Sequence, residues 1–175
     1  MPNSSDFRRT ERNRFTRMCI GEAILALMEE QSYESITVLG IVRKAGISRM
    51  TYYQYYHSKS EALNDYLKEI ITEYMQEREK RRAGRFMEYQ HILFSLNFFD
   101  RYADFFLKLA SAGLYSLIIN AVNDFMLHHM KPFTNRPVYQ LYAYAGSLLN
   151  VFLKWEEGGK KEAPEEIARF LCESI

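Results

Sequence analysis

Thr37 to Leu63 read TVLGIVRKAGISRMTYYQYYHSKSEAL. Thr37 is a good N-cap for a short helix over Val38 to Ala45, whose apolar side is Ile41, Val42 and Ala45. Gly46 follows where a left-handed residue closes a helix. Ser48 then caps a second short helix, Arg49 to about Tyr55. Only Gly46-Ile47-Ser48 separates the two, so the spacing predicts a helix-turn-helix. At helical spacing Tyr52 and Tyr56 share the inward face, while Arg49, Met50, Tyr53 and Gln54 point elsewhere. Ser58 and Glu61 form a capping box for a third, longer helix.

The outward residues suit duplex DNA. Arg49 matches the major-groove edge of guanine, Gln54 that of adenine, and Thr51 a thymine methyl or a phosphate. The Tyr53 hydroxyl is a phosphate donor. Lys59 sits in the first turn of the third helix, where a cation is unfavourable unless an anion is near, so it is a further phosphate candidate.

Outward from this stretch, the preceding helix is expected over about Phe7 to Gln31, after a loose tail at residues 1–6. Ile20, Ala23, Ile24, Leu27 and Met28 form its apolar stripe. Arg8, Arg9, Arg12, Arg14 and Arg17 crowd its start, where the helix dipole disfavours cations. They either contact phosphate or form a solvated basic arm. Net charge is +1 over 175 residues. The first sixty hold nine Lys/Arg against six Asp/Glu, and the rest fourteen against sixteen, so the basic end coincides with the reader.

The third helix continues through Leu63, Leu67, Ile70 and Tyr74 to about Arg82, ending at Gly84. Arg78, Lys80, Arg81, Arg82 and Arg85 read as its solvated end. Beyond Phe86 the chain turns aromatic, with helices expected over 86–98, 101–111 and 114–130. Another should start near Asn135 or Arg136 and reach Glu157, and a last one follows Pro164. The expected fold is all-α, about nine helices: a three-helix DNA-binding domain over 1–57 and a helical ligand-sensing and dimerisation domain over 58–175. Leu141, Ala145, Leu148, Leu149, Phe152, Ile167, Phe170 and Leu171 are the expected dimerisation face. Tyr89, His91, Asn97, Tyr102, Tyr115 and Asn120 either give polar handles to a small apolar or aromatic effector or belong to an aromatic core.

Ile36-Thr37-Val38, Ile41-Val42, Ala45-Gly46-Ile47-Ser48, Thr51-Tyr52-Tyr53, Tyr55-Tyr56 and Ser58-Lys59-Ser60-Glu61-Ala62-Leu63, with the upstream stripe from Ile24 to Glu34, resemble the N-terminal domain of the TetR family of transcriptional regulators. The resemblance covers about the first 65 residues. It implies that Thr37, Ser48, Thr51, Tyr53 and Lys59 contact phosphates. Arg43, Lys44, Arg49, Met50 and Gln54 would read sequence or add backbone contacts. It also implies a homodimer on double-stranded DNA, a repressor controlled by a small effector, or alternatively a regulator controlled by a protein partner. The chain departs from the family at Gly40, which costs its short helix roughly 1 kcal/mol against Ala, at Met50, and at Tyr52 and Tyr56, whose hydroxyls need partners. Ala145-Gly146, Trp155, Gly158 and Pro164-Glu165-Glu166-Ile167-Ala168 resemble the end of a short-chain subgroup that includes regulators of dihydroxyacetone kinase operons.

Other classes find less support. His57, His91, His128 and His129 lack metal-ligand spacing, no cofactor motif or nucleophile elbow occurs, and no enzyme activity is expected. Cys19 and Cys172 are expected to be buried free thiols. No apolar run is long enough to span a membrane and no signal-peptide core occurs near the start, so a cytoplasmic location is expected.

Overall fold

A computed structural model describes residues 4–174, apart from the side chains of residues 4–10 and Phe133. Among the described residues there are nine α-helices and no strand. They are α1 Ser4–Glu30, α2 Val38–Ala45, α3 Arg49–Tyr53, α4 Lys59–Arg81, α5 Tyr89–Asp100, α6 Ala103–Ser111, α7 Tyr115–Phe125, α8 Val138–Glu157 and α9 Pro164–Ser174. The chain divides into two compact units, Met1–Glu69 and Ile70–Ile175.

Within the first unit the expected apolar stripe is found. Ile20 and Ile24 are fully buried, and Ile41 and Val42 of α2 pack beneath them. A carboxylate clamp fixes α1 to the start of α4. Arg17 Nη1 donates to both Asp65 oxygens at 3.0 and 2.9 Å, Arg17 Nη2 to Glu69 Oε1 at 2.9 Å, and Arg14 Nε to Glu69 Oε2 at 2.7 Å. Two of the five arginines expected to reach phosphate or solvent are therefore held by α4. Arg12 is exposed, and the side chains of Arg8 and Arg9 lie outside the described residues, as does the tail at residues 1–3. Ser4 to Asp6, expected in that tail, are helical.

The second unit is built on rings. Tyr74 lies 5.1 to 6.0 Å from the ring centres of Phe94, Phe98, Phe99 and Phe125. Phe106 links Phe99 to Phe152 of α8. Such edge and offset contacts favour a tightly packed core. Several boundaries differ from expectation. Arg85 to Glu88 form a turn with Met87 at φ 67°, so α5 starts later than 86. The long helix expected over 114–130 stops at Phe125 and gives way to a π-helical stretch, Met126–Met130. Pro137 is the N-cap of α8 rather than a residue inside its first turn.

Both cysteines are free, but Cys19 is only half-buried and Cys172 is exposed, so neither is the buried thiol expected. No helix is long and apolar enough to cross a membrane, among the described residues.

Candidate nucleic-acid interface

The turn forms as its local chemistry dictates. Thr37 Oγ1 accepts the Gly40 N–H at 3.2 Å, capping α2. Gly46 adopts φ 66°, ψ 32°. Its N–H reaches the Arg43 carbonyl and the Ile47 N–H the Val42 carbonyl, the paired bonds of a Schellman closure. A residue with a Cβ would be strained there. Ser48 Oγ accepts the Thr51 N–H at 3.0 Å and lies 2.8 Å from the Thr51 hydroxyl. The α4 cap differs in one respect from a reciprocal capping box. Ser58 Oγ does accept the Glu61 N–H, but Glu61 Oε2 accepts from His57 rather than from Ser58.

α3 ends at Tyr53, and its faces divide as the spacing predicts. Tyr52 is fully buried and Tyr56 nearly so, while Arg49, Met50, Tyr53 and Gln54 are exposed. Met50 is 75% exposed, so it does not fill the interior. From Thr37 to Tyr56 the chain carries Arg43, Lys44 and Arg49 and no carboxylate, which makes the reader uniformly cationic. Lys44 pairs with Glu30 at 2.8 Å, but both are exposed and such a pair is worth little, so a phosphate can draw the lysine away. The Thr37 oxygen, though it accepts a cap bond, keeps its own O–H to donate. The same holds for one hydroxyl of the Ser48–Thr51 pair.

Lys59 is placed differently from expectation. Its ammonium donates to the carbonyls of Tyr33, of Glu34 at 3.0 Å and of Ile36 at 3.1 Å, and rests 4.3 Å from the Tyr33 ring centre. All three N–H groups are committed to the connection between α1 and α2. It holds that connection in place rather than projecting a free charge.

The two unusual tyrosines part ways. Tyr56 donates to Asp65 Oδ2 at 2.5 Å, joining the clamp of Arg17, and burial pushes its hydroxyl pKa up, with Asp65 adding to the effect. The Tyr52 hydroxyl is buried with no hydrogen-bond partner among the described residues. An unpaired buried hydroxyl costs about 1–3 kcal/mol, whereas a bond to a carboxylate contributes about 1.5–3 kcal/mol. Tyr52→Phe is therefore expected to raise stability by about 1 kcal/mol and Tyr56→Phe to lower it by about 1–2 kcal/mol. Urea unfolding midpoints check the opposite signs.

The expected effector residues do not converge. His91 is buried and bonded between Tyr74 and Tyr144; Asn97 and Asn120 are exposed. Tyr102 donates to Glu73 and Tyr115 to Asn150, and Tyr89 is half-buried. His91, Tyr102 and Tyr115 thus spend their polar groups on partners within the chain. The expected dimerisation face is also redirected. Leu141, Ala145, Leu148, Leu149, Phe152 and Leu171 are buried within the single chain, where they serve its own core. Phe170 remains 57% exposed and Ile167 half-exposed. On α8 Tyr139, Gln140, Tyr142, Ala143, Asn150, Lys154 and Glu157 are exposed and Gly146 is half-buried, and Tyr139, Tyr142, Ala143, Gly146 and Asn150 follow one helical side.

Among the described residues no group of three or more His, Cys, Asp or Glu is placed to hold a metal ion. Residues 20–65 match the family model described as "Bacterial regulatory proteins, tetR family". That segment runs from α1 through α2 and α3 into the first turns of α4. No curated protein gives a match to the chain.

Proposed function

We propose that this chain is a TetR-like DNA-binding transcriptional regulator that reads a near-palindromic duplex as a homodimer. The observation that carries this reading is α3. Tyr52, with Tyr56 just beyond the helix end, turns inward, and Arg49, Met50, Tyr53 and Gln54 stand exposed on a segment free of carboxylates. Arg49, Met50 and Gln54 contact base edges; Thr37, Ser48, Thr51 and Tyr53 hold phosphates, with Arg43 and Lys44 adding cationic contacts. Lys59 acts indirectly, by fixing the α1–α2 connection. Two readers about 34–36 Å apart, or a little more, would meet successive major grooves. The protein works in the cytoplasm as a repressor that an effector releases.

Selection from a random duplex pool tests this. Wild type is expected to enrich two related half-sites in inverted orientation. Arg49→Ala is expected to change the preferred base at a fixed position in each half-site. Tyr53→Phe is expected to weaken all sequences two- to tenfold without changing preference, on the order of 1 kcal/mol. An unchanged preference for Arg49→Ala removes its assignment as a base reader.

The homodimer forms through the outward side of α8 together with Phe170 and Ile167 of α9. The small residues Ala143 and Gly146 let a second helix approach closely, and Tyr139, Tyr142 and Phe170 supply buried area. Phe170→Glu places a charge in that contact and is expected to raise the dimer dissociation constant at least tenfold by analytical ultracentrifugation. Phe170→Glu sedimenting like wild type assigns the dimer contact elsewhere.

A further inference from the structure

The second unit contains a cleft of about 500 Å³ between the end of α4, the connection to α5 and the segment leading into α8. Three guanidinium groups, Arg78, Arg85 and Arg136, line it, against one carboxylate, Glu88. The formal charge of the wall is thus +2. Glu88 lies 3.7 Å from Arg85, a long contact between exposed groups that neutralises little. The Arg136 guanidinium donates to Gln140 Oε1 at 3.5 Å, a long bond between exposed groups.

Arg78 is the telling residue. The other cations at the end of α4 are exposed, and Arg81 pairs with Glu77. Arg78 instead is half-buried, and its Nε is buried with no hydrogen-bond partner among the described residues. The buried Nε fixes the side chain in the wall, and the guanidinium of a residue that lines the cleft matches oxyanions in bidentate fashion. Its charge is also felt behind the cleft, where it helps hold His91 neutral. The cleft is not purely polar. Phe86 and Met130 form an apolar part of its wall, and the Thr134 side chain adds a hydroxyl. The loop that presents Arg85 and Phe86 is held in place by left-handed residues at both ends, Arg82 at φ 48° and Met87 at φ 67°. Strain of that kind persists where the surroundings fix it, as at ligand clamps.

We infer that this cleft binds a small dianion, a phosphate monoester or a dicarboxylate, whose apolar part rests on Phe86 and Met130. Its volume is in the range of small-molecule sites. Two negative charges offset the +2 wall, and Arg78 and Arg136 supply the paired N–H donors. The effector of the proposed regulator is then anionic rather than the apolar or aromatic compound that the ring-rich sequence favours. That regulatory consequence rests on the DNA-binding reading, whereas the binding itself does not.

Isothermal titration calorimetry of the full chain with phenyl phosphate, phthalate and phenol tests the inference without DNA. At least one dianion is expected to bind, and phenol is expected to bind at least tenfold more weakly. Arg78→Gln and Arg136→Gln are each expected to weaken the dianion at least tenfold, and Arg81→Gln to leave it unchanged. Arg78→Lys, which keeps the charge but loses the fork, is expected to fall between. Phenyl phosphate binding alone assigns the site to phosphate esters, and phthalate alone to dicarboxylates. The inference is overturned if neither dianion binds, if phenol binds as well as they do, or if both Arg→Gln variants titrate like wild type. Dianion binding by a chain that retains no duplex would overturn the DNA reading and leave the anion site standing.

Discussion

Gly21→Ala is expected to destabilise the first unit by up to about 2 kcal/mol, although alanine is the better helix former. Gly21 lies inside α1 and is buried. A Cβ built there falls 2.3 Å from Tyr66 Cδ2, 2.8 Å from Cγ and 2.9 Å from Cβ. The last two atoms are the root of the side chain, so a ring flip does not relieve the contact. Relief requires α1 and α4 to separate, and the Arg14 and Arg17 bonds to Asp65 and Glu69 oppose that. Overpacking of this kind costs about 1–3 kcal/mol, of which a better helix propensity offsets about 1. Urea unfolding followed by circular dichroism measures it. A midpoint equal to wild type would show that the two helices can part freely.

The second large effect is acid sensitivity seated at His91. The imidazole is 2% exposed, with Nε2 3.0 Å from the Tyr74 hydroxyl and Nδ1 3.1 Å from that of Tyr144. Burial, assisted by the Arg78 charge, brings its pKa from 6.5 down to about 3. A neutral ring offers one donor and one acceptor, which suits two hydroxyls; a protonated ring offers two donors. Above pH 6.5 the folded and unfolded ring are both neutral and the linkage vanishes. Below it the unfolded state takes up a proton that the folded state refuses, so stability falls with pH until about pH 3, by up to ~1.4 kcal/mol per unit. Asp100, whose pKa Lys160 lowers, acts only below its ordinary value of 3.8. Glu156, raised by burial, acts in the opposite direction above 4.5. The difference between wild type and His91→Gln therefore isolates the histidine. Thermal unfolding between pH 4 and 7 should show a steep loss in wild type and a flatter one in the variant. Parallel curves would place the acid sensitivity elsewhere.

These two sites show where the sequence is and is not transparent. The caps at Thr37 and Ser48, the left-handed Gly46 and the inward Tyr52 and Tyr56 are decided by neighbours within one or two turns, so they can be read directly. The partners of Arg14, Arg17 and Lys59 come from residues 23 to 55 positions away. Nothing local marks these cations as held, and they read as free for phosphate. α8 carries two usable sides. The more apolar one, through Leu141, Leu148 and Phe152, was expected to face a second copy, but the chain's own core takes it first. The weaker side, through Tyr139, Tyr142 and Ala143, is left outward. The abundance of rings points to an aromatic site, yet the rings satisfy one another, and the open cleft is lined by arginines.

The most direct measurement is fluorescence anisotropy of labelled genomic duplexes from the protein's own locus, titrated at low salt and again at higher salt. Saturable binding that weakens steeply with salt, and is lost when Arg49 and Tyr53 are both changed to Ala, is the predicted result. No binding to any duplex at low salt, or binding that the double substitution leaves intact, would contradict α3 as the reader.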